Sequence, residues 1–205
     1  MNFTRIIRLV TNRKTPRRTG PSHSVRIIGG AWRGRRIPVL DHPELRPTTD
    51  RIRETVFNWL RADVAGARAL DLFAGSGALG LEALSRGAGE VVFVERSAAA
   101  AANLRTQLER LGAADRAQVH CADADAYWRE AAGGFDLAFL DPPFGSGALD
   151  RAIEALASGD RLVRGGLVYI ETARSAGAPA MPPGWSLRRS RFAGEVGYHL
   201  ARREG

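Results

Sequence analysis

From Ala69 onward, short apolar runs alternate with longer stretches in which apolar residues recur every three or four positions. The runs ALDLF, VVFVE, AQVHC, DLAFL and GLVYIE read as strands. Between them, ALGLEALSRG and AAAAANLRTQLERLG read as helices, the second with Leu104, Leu108 and Leu111 on one stripe and Gly112 as its C-cap. A further helix is predicted near Ala148–Ala157. Strands that are apolar on both faces and separated by helices form a parallel sheet covered on both sides. The ending breaks this rhythm. WSLRRSRF and GEVGYHLARR are strand-like runs joined by a short turn, which predicts an antiparallel hairpin on the sheet edge. A unit finished in this way differs from the six-parallel-strand dinucleotide fold.

Upstream, Val25–Ile28 and Ile37–Leu40 predict a small β-hairpin around the loop GGAWRGRR. RPTTD is a helix-start signal, with Thr48, Thr49 or Asp50 able to receive the free amides of the first turn. In the helix that follows, Ile52, Val56, Trp59 and Leu60 share one face, and Arg51, Glu54 and Asn58 lie opposite.

The chain has 205 residues, enough for one domain with a small appendage. The reading divides it into a basic arm without fixed structure (1–24), a hairpin-and-helix extension (25–62) and the main α/β domain (63–205). The arm is also compatible with a mitochondrial transit peptide, being basic, acid-free and hydroxyl-bearing. The single Cys121 excludes an internal disulfide and fits a reducing compartment, hence the cytoplasm. No apolar run approaches the roughly 20 residues that span a membrane, and no metal site is expected. Residues 1–40 hold ten Lys/Arg and no acid, whereas the remainder holds 20 Lys/Arg against 22 Asp/Glu. Such asymmetry points to a polyanionic partner.

DLFAGSGALG places G-x-G-x-x-G at Gly75, Gly77 and Gly80 after a strand, with Phe73 and Ser76 in the same turn and Glu95 at the end of the next strand. This is a nucleoside-cofactor loop with an acid for ribose hydroxyls. Asp71 sharpens the choice of ligand. A buried carboxylate beside the loop repels a pyrophosphate but suits a ligand carrying a cation. S-adenosylmethionine carries an ammonium and a sulfonium and no phosphate. Asp123, followed by Ala124, stands after the third strand, where it can accept the adenine amino proton, cap a helix, or do both.

DPPF, residues 141–144, follows the fourth strand on the same rim. An exocyclic base nitrogen is a poor nucleophile because its lone pair is delocalised into the ring. Acceptors on its N–H bonds restore that pair. Asp141 supplies one and the Pro142 carbonyl another, with Pro142 and Pro143 fixing the direction. Phe144 can stack on the base. A carboxylate complements the two adjacent donors of guanine, whereas adenine presents a donor beside an acceptor. In the basic hairpin, Arg33, Arg35 and Arg36 can hold phosphates while Trp32 stacks on a base. Arg46, Thr48 and Arg51 border the predicted pocket and are candidates for substrate contact.

These residues together resemble the class I methyltransferases with an Asp/Asn-Pro-Pro-aromatic motif, and more narrowly the RsmD family. The resemblance runs from about Val25 to Arg202 and includes RIIGGAWRGRRIP, LRPTTDRIRETVFNWL, LDLFAGSGALGLEALSRGA, FDLAFLDPPF and AGEVGYHLARR. It implies a Rossmann-like class I methyltransferase fold with a mostly parallel seven-stranded sheet. It implies S-adenosyl-L-methionine as cofactor, held by the Gly75–Gly80 loop and Glu95, and a base pocket formed by Asp141 to Phe144. The implied activity is methylation of the exocyclic N2 amine of one guanine in 16S rRNA, free or in the assembling 30S subunit, by a monomer. The competing readings are an adenine-N6 methyltransferase, a nicotinamide-dependent oxidoreductase using the same glycine loop, and a non-catalytic RNA-binding factor.

Overall fold

The computed structural model describes residues 23–39, 49–130 and 133–204. The expectations for residues 1–22, Leu40, Arg46 and Thr48 fall outside these. The chain runs β1 (His23–Arg26), β2 (Arg36–Val39), α1 (Asp50–Trp59), β3 (Arg68–Asp71), α2 (Ala78–Ser85), β4 (Glu90–Glu95), α3 (Ala98–Leu111), β5 (Ala117–Cys121), α4 (Ala124–Glu130), β6 (Phe135–Leu140), α5 (Ala148–Ala157), β7 (Leu162–Ala173), β8 (Trp185–Ala193) and β9 (Val196–Arg203). β1 and β2 form an antiparallel pair, and the other seven strands form one sheet in the order β5-β4-β3-β6-β7-β9-β8. β3 to β7 are mutually parallel, and the last two strands are antiparallel. The hairpin sits on the edge as its sequence predicts, but β9, not β8, lies beside β7.

Alternation along β6 shows how the sheet separates two apolar layers. Leu137 and Phe139 join the cluster under α1, α2 and α3, while Ala138 and Leu140 join the cluster under α4 and α5. Phe139 is fully buried between Phe57 of α1, ring centroids 5.8 Å apart, and Tyr169 of β7, at 6.3 Å. Burying such a ring contributes about 1.5–3 kcal/mol. Ile27, Trp32 and Ile37 of the N-terminal hairpin belong to this same cluster.

In α1 the cap is Thr49, whose hydroxyl accepts from Ile52 N at 3.4 Å. Ile52, Val56 and Leu60 are buried as predicted, but so are Phe57 and Arg53, so the covered face is wider than the apolar pattern shows. Cys121 is exposed on the edge strand β5. Among the described residues no helix is long and apolar enough to cross a membrane, and no group of His, Cys, Asp and Glu is arranged to hold a metal.

Candidate active site

β3 stops at Asp71, and residues 72–77 turn the chain into α2. The turn is pinned on both sides: Leu72 N donates to Phe139 O of β6 at 3.2 Å, and Ala74 N to Val94 O of β4 at 2.9 Å. Gly75 (φ 53°) and Gly77 (φ 77°) occupy left-handed conformations that other residues adopt at a cost. Gly80 answers a different need. A Cβ there would lie 2.2 Å from the Phe93 ring, so only glycine lets α2 lie this close to β4.

Gly77 has no side chain with which to cap α2. Asp71 reaches up from the strand instead, its Oδ2 accepting from Gly80 N at 3.0 Å. Burial pushes the Asp71 carboxyl up to about 7; the Gly80 amide offsets part of this and the nearby Glu95 charge adds to it. Glu95, half-buried at the end of β4, accepts from Gly75 N at 2.8 Å and from Ser97 N at 2.6 Å. The twenty-residue spacing read in the sequence is therefore a direct contact. Phe73 and Ser76 are half-buried in the same turn. At the end of β5, Asp123 is exposed and caps α4 through Asp125 N at 2.9 Å, with Ala124 as the first helical residue. The capping reading of Asp123 is thus the one with a visible partner.

Asp141 follows β6 directly. β3 and β6 are parallel neighbours with Asp71 opposite Phe139, so the glycine turn and DPPF leave the sheet side by side, about 4.8 Å apart in strand spacing. Asp141 is half-buried, Pro142 buried, and Pro143 and Phe144 exposed, Phe144 to 48%. Ser146 Oγ donates to Pro143 O at 2.6 Å and holds the loop. Behind it, Tyr169 donates to Glu171 Oε1 at 2.7 Å. Burial raises the Tyr169 hydroxyl well above its ordinary range; the charges of Glu171 and Asp141 add to this. Sheet order then sets the sequence of groups along one rim: Asp123, Glu95, the Gly75 turn, Asp141. A surface cleft of about 540 Å³ lined by Gly133, Gly134, Ser158, Gly159, Asp160 and Arg161 opens at the other end of the sheet, and no predicted site residue lines it.

The hairpin departs from expectation at one residue. Trp32 is 8% exposed and lies in the core, with its backbone N–H on Ser85 Oγ at 3.0 Å. The 3-10 turn Gly30–Trp32 folds the ring inward, so it does not present a face for stacking on RNA. Arg33, Arg35, Arg36 and Arg51 are exposed. The hairpin turn rests on the C-terminal end of α2, through Ser85 and Glu82, about 12 Å along the helix from the glycine turn.

Residues 25–202 match the family model described as Conserved hypothetical protein 95. The chain is 44% identical over 191 residues to ribosomal RNA small subunit methyltransferase D of Escherichia coli K12, covering 93% of this chain and 96% of that one. The chain belongs to this methyltransferase family. The Haemophilus influenzae protein of the same name is 39% identical, covering 91% of this chain and 96% of its own. The solved structure of the Escherichia coli protein yhhF superposes with a TM-score of 0.83 at 42% identity, covering 89% of this chain and 99% of that one. The family expected from RIIGGAWRGRRIP to AGEVGYHLARR is thus shown, and with it the Rossmann-like methyltransferase fold.

Family membership does not reveal a knot of buried charge that the sequence reading passed over. Glu82 of α2 is wholly buried and accepts from Ile28 N and Gly29 N, both at 2.8 Å, and from Arg86 Nε at 2.7 Å. Arg53, 1% exposed, places one nitrogen 3.7 Å from Glu82 and another 2.8 Å from Arg26 O. This knot fixes the N-terminal hairpin to the helix that follows the glycine turn. Its only sequence signal is an acid inside a helix that is otherwise apolar all round.

Proposed function

We propose that the protein transfers the methyl group of S-adenosyl-L-methionine to the exocyclic N2 amine of a guanine in small-subunit ribosomal RNA. The observation that carries the reading is the adjacency of the β3 and β6 tips, which sets the glycine turn beside DPPF on one rim. The name of the Escherichia coli relative supplies the substrate class. The residues fit this cofactor rather than a dinucleotide. The turn Leu72–Gly77 contains no cation, and acids Asp71, Glu95 and Asp123 line its surroundings. A pyrophosphate would meet repulsion there, whereas an ammonium and ribose hydroxyls meet acceptors.

When bound, the cofactor supplies an electrophilic methyl group on a good leaving group. Glu95 receives ribose hydroxyls with the lone pairs left over from its two backbone amides. Asp141 accepts one N–H of the guanine amine and takes the proton as the amine becomes a nucleophile. The Pro142 carbonyl accepts the second N–H. Phe144, exposed at the rim, stacks on the base after it has left its own stack. Arg33, Arg35, Arg36, Arg46, Thr48 and Arg51 are the candidates for contact with the surrounding RNA, by phosphate attraction that carries no sequence information.

The test is Asp141→Ala, assayed by methyl transfer to 30S particles from a strain lacking this protein. Activity should fall at least about 100-fold, as when one positioned group is removed from a transition state. The affinity for S-adenosylhomocysteine should stay within a few-fold. Full activity in this variant, or tighter binding of NAD than of S-adenosylhomocysteine to the wild type, would overturn the reading. Mapping the modified nucleotide decides between the guanine amine and other positions.

A further inference from the structure

The neutral body of the chain hides a second cationic surface. Residues 41–172 carry 14 Lys/Arg against 20 Asp/Glu, whereas residues 173–205 carry six against two. A segment of net +4 is therefore attached to a body of net −6, and the structure gathers it on the C-terminal hairpin. β8 is an edge strand with Arg188, Arg189 and Arg191 and no acid. All three are exposed, as is Arg174 just after β7. Arg188 pairs with Glu204 at 3.7 Å. Among the described residues, Arg174, Arg189 and Arg191 form no ion pair.

Register places Arg189 opposite Leu200 and Arg191 opposite Tyr198, so both arginines share a sheet face with those side chains. On that face Trp59 of α1 stacks on Tyr198 with centroids 5.4 Å apart, and the Arg191 guanidinium lies 6.0 Å from the Trp59 ring. On the other face Phe192 stands edge-on to His199 at 5.8 Å with the Arg174 guanidinium 5.4 Å from its ring, yet it remains 43% exposed. Among the described residues three large apolar side chains are exposed: Phe144, Leu187 and Phe192. The two phenylalanines lie on one rim. Ala173 of β7 and Ala193 of β8 both pair with Val196, so the end of β8 lies level with the end of β7. Counted through β6, β7, β9 and β8, the end of β8 is about 14 Å along the rim from Asp141.

Charge on an edge strand also discourages strand-to-strand aggregation. That purpose is served by either sign, and an exposed phenylalanine works against it. Cations alone, on an otherwise acidic body and beside an open aromatic, fit a polyanion that also offers flat rings.

We propose that this hairpin edge is a second RNA-binding surface for single-stranded nucleotides flanking the target. Arg174, Arg189 and Arg191 hold phosphates, and Phe192 stacks on an unpaired base. The inference rests on the methyl-transfer reading and extends it to a surface remote from the N-terminal hairpin.

The test uses the full-length protein and two probes, deproteinised 16S rRNA and 30S particles, both from a strain lacking the protein. The Arg189→Ala/Arg191→Ala double variant should reduce the dependence of log affinity on log salt by about 1.4, at about 0.7 per phosphate contact on a single strand. Phe192→Ala should weaken binding roughly 5- to 150-fold with the salt slope unchanged. Both should raise KM while leaving kcat and the affinity for S-adenosylhomocysteine as in the wild type, which also reports correct folding. Arg129→Ala, an exposed arginine on α4, should behave as wild type. An unchanged salt slope in the double variant overturns the proposal. So does a loss confined to 30S particles with binding to naked rRNA intact, since that result assigns the edge to a ribosomal protein. Should the wild type methylate neither probe, the methyl-transfer reading falls, while the binding measurements still decide this surface.

Discussion

Glu82 and Glu95 solve the same local problem and serve different ends. Each is a carboxylate that accepts from two backbone amides, Ile28 and Gly29 for Glu82, Gly75 and Ser97 for Glu95. The amides on Glu82 come from 54 and 53 residues away, and Arg86 and Arg53 complete its surroundings with no exposed surface left. Glu95 draws on neighbours 20 and 2 residues away, stays half-buried, and forms no ion pair among the described residues. A carboxylate has about four lone-pair sites, so Glu95 keeps capacity for a ligand that Glu82 has committed to joining the hairpin, α1 and α2. Local bonding with solvent access suits Glu95 to the ligand role proposed for it; distant backbone bonding beside the buried Arg53 makes Glu82 an assembling residue.

The strongest way to break this contrast is Glu82→Ala. It leaves the Ile28 and Gly29 amides without their acceptor and removes one of the carboxylates beside buried Arg53, Asp50 remaining at 2.6 Å. The change should cost about 3–5 kcal/mol, lowering Tm by roughly 6–20 °C. Binding of S-adenosylhomocysteine by the folded protein should change less than twofold; its loss at an unaltered Tm would put Glu82 in the binding site. Trp32→Ala should cost about 3 kcal/mol by opening a core cavity. A thermal melt that does not move, paired with weaker RNA binding, would return Trp32 to the RNA surface.

Glu95→Ala should be nearly the mirror image of Glu82→Ala. The loss of stability should be about 1–2 kcal/mol, with the affinity for S-adenosylhomocysteine falling roughly 10-fold or more, as expected for charge-assisted bonds. Calorimetry that finds equal affinity in variant and wild type would remove Glu95 from the cofactor site.

The smallest effect concerns Asp71. Its folded-state pKa of about 7 lies above the ordinary 3.8, so the ionised form is disfavoured by folding. Its contribution to stability is present below about pH 4 and is lost as pH rises through 7. Asp71→Asn keeps an acceptor for Gly80 N and removes the titration. The variant should gain nothing over wild type below about pH 4, gain progressively between pH 4 and pH 7, and reach a few degrees in Tm by pH 8. Parallel Tm curves across that range would show that Asp71 does not titrate there.

Much of this site was legible because its signals are local. Gly112 closes α3, and Ala148–Ala157 is α5 as the apolar spacing predicts. The glycines at 75, 77 and 80 announce a turn and a close approach through conformational demands that no other residue type meets as cheaply. DPPF stands where β6 ends because an apolar run stops there. The core position of Trp32, expected on an RNA-facing surface, and the burial of Arg53, for which the sequence gives no signal, share one cause. Arginine is normally solvated, and a tryptophan followed by three arginines in a glycine-rich loop has the composition of a nucleic-acid contact. Their burial depends on α2, whose partner residues Glu82 and Ser85 lie 29 and 53 positions away. No periodicity within α1 or the hairpin encodes that.

The sequence by itself determined the β–α rhythm, the glycine turn, the acid twenty residues beyond it and the aromatic acidic motif at a strand end. Each follows from backbone sterics or from apolar spacing within a short window. Only the tertiary structure decided that β3 and β6 are neighbours, that β9 enters between β7 and β8, and that Glu82 and Arg53 are interior. Those outcomes depend on which distant surfaces exclude water together, and burial of that kind belongs to pairs of segments rather than to either one alone.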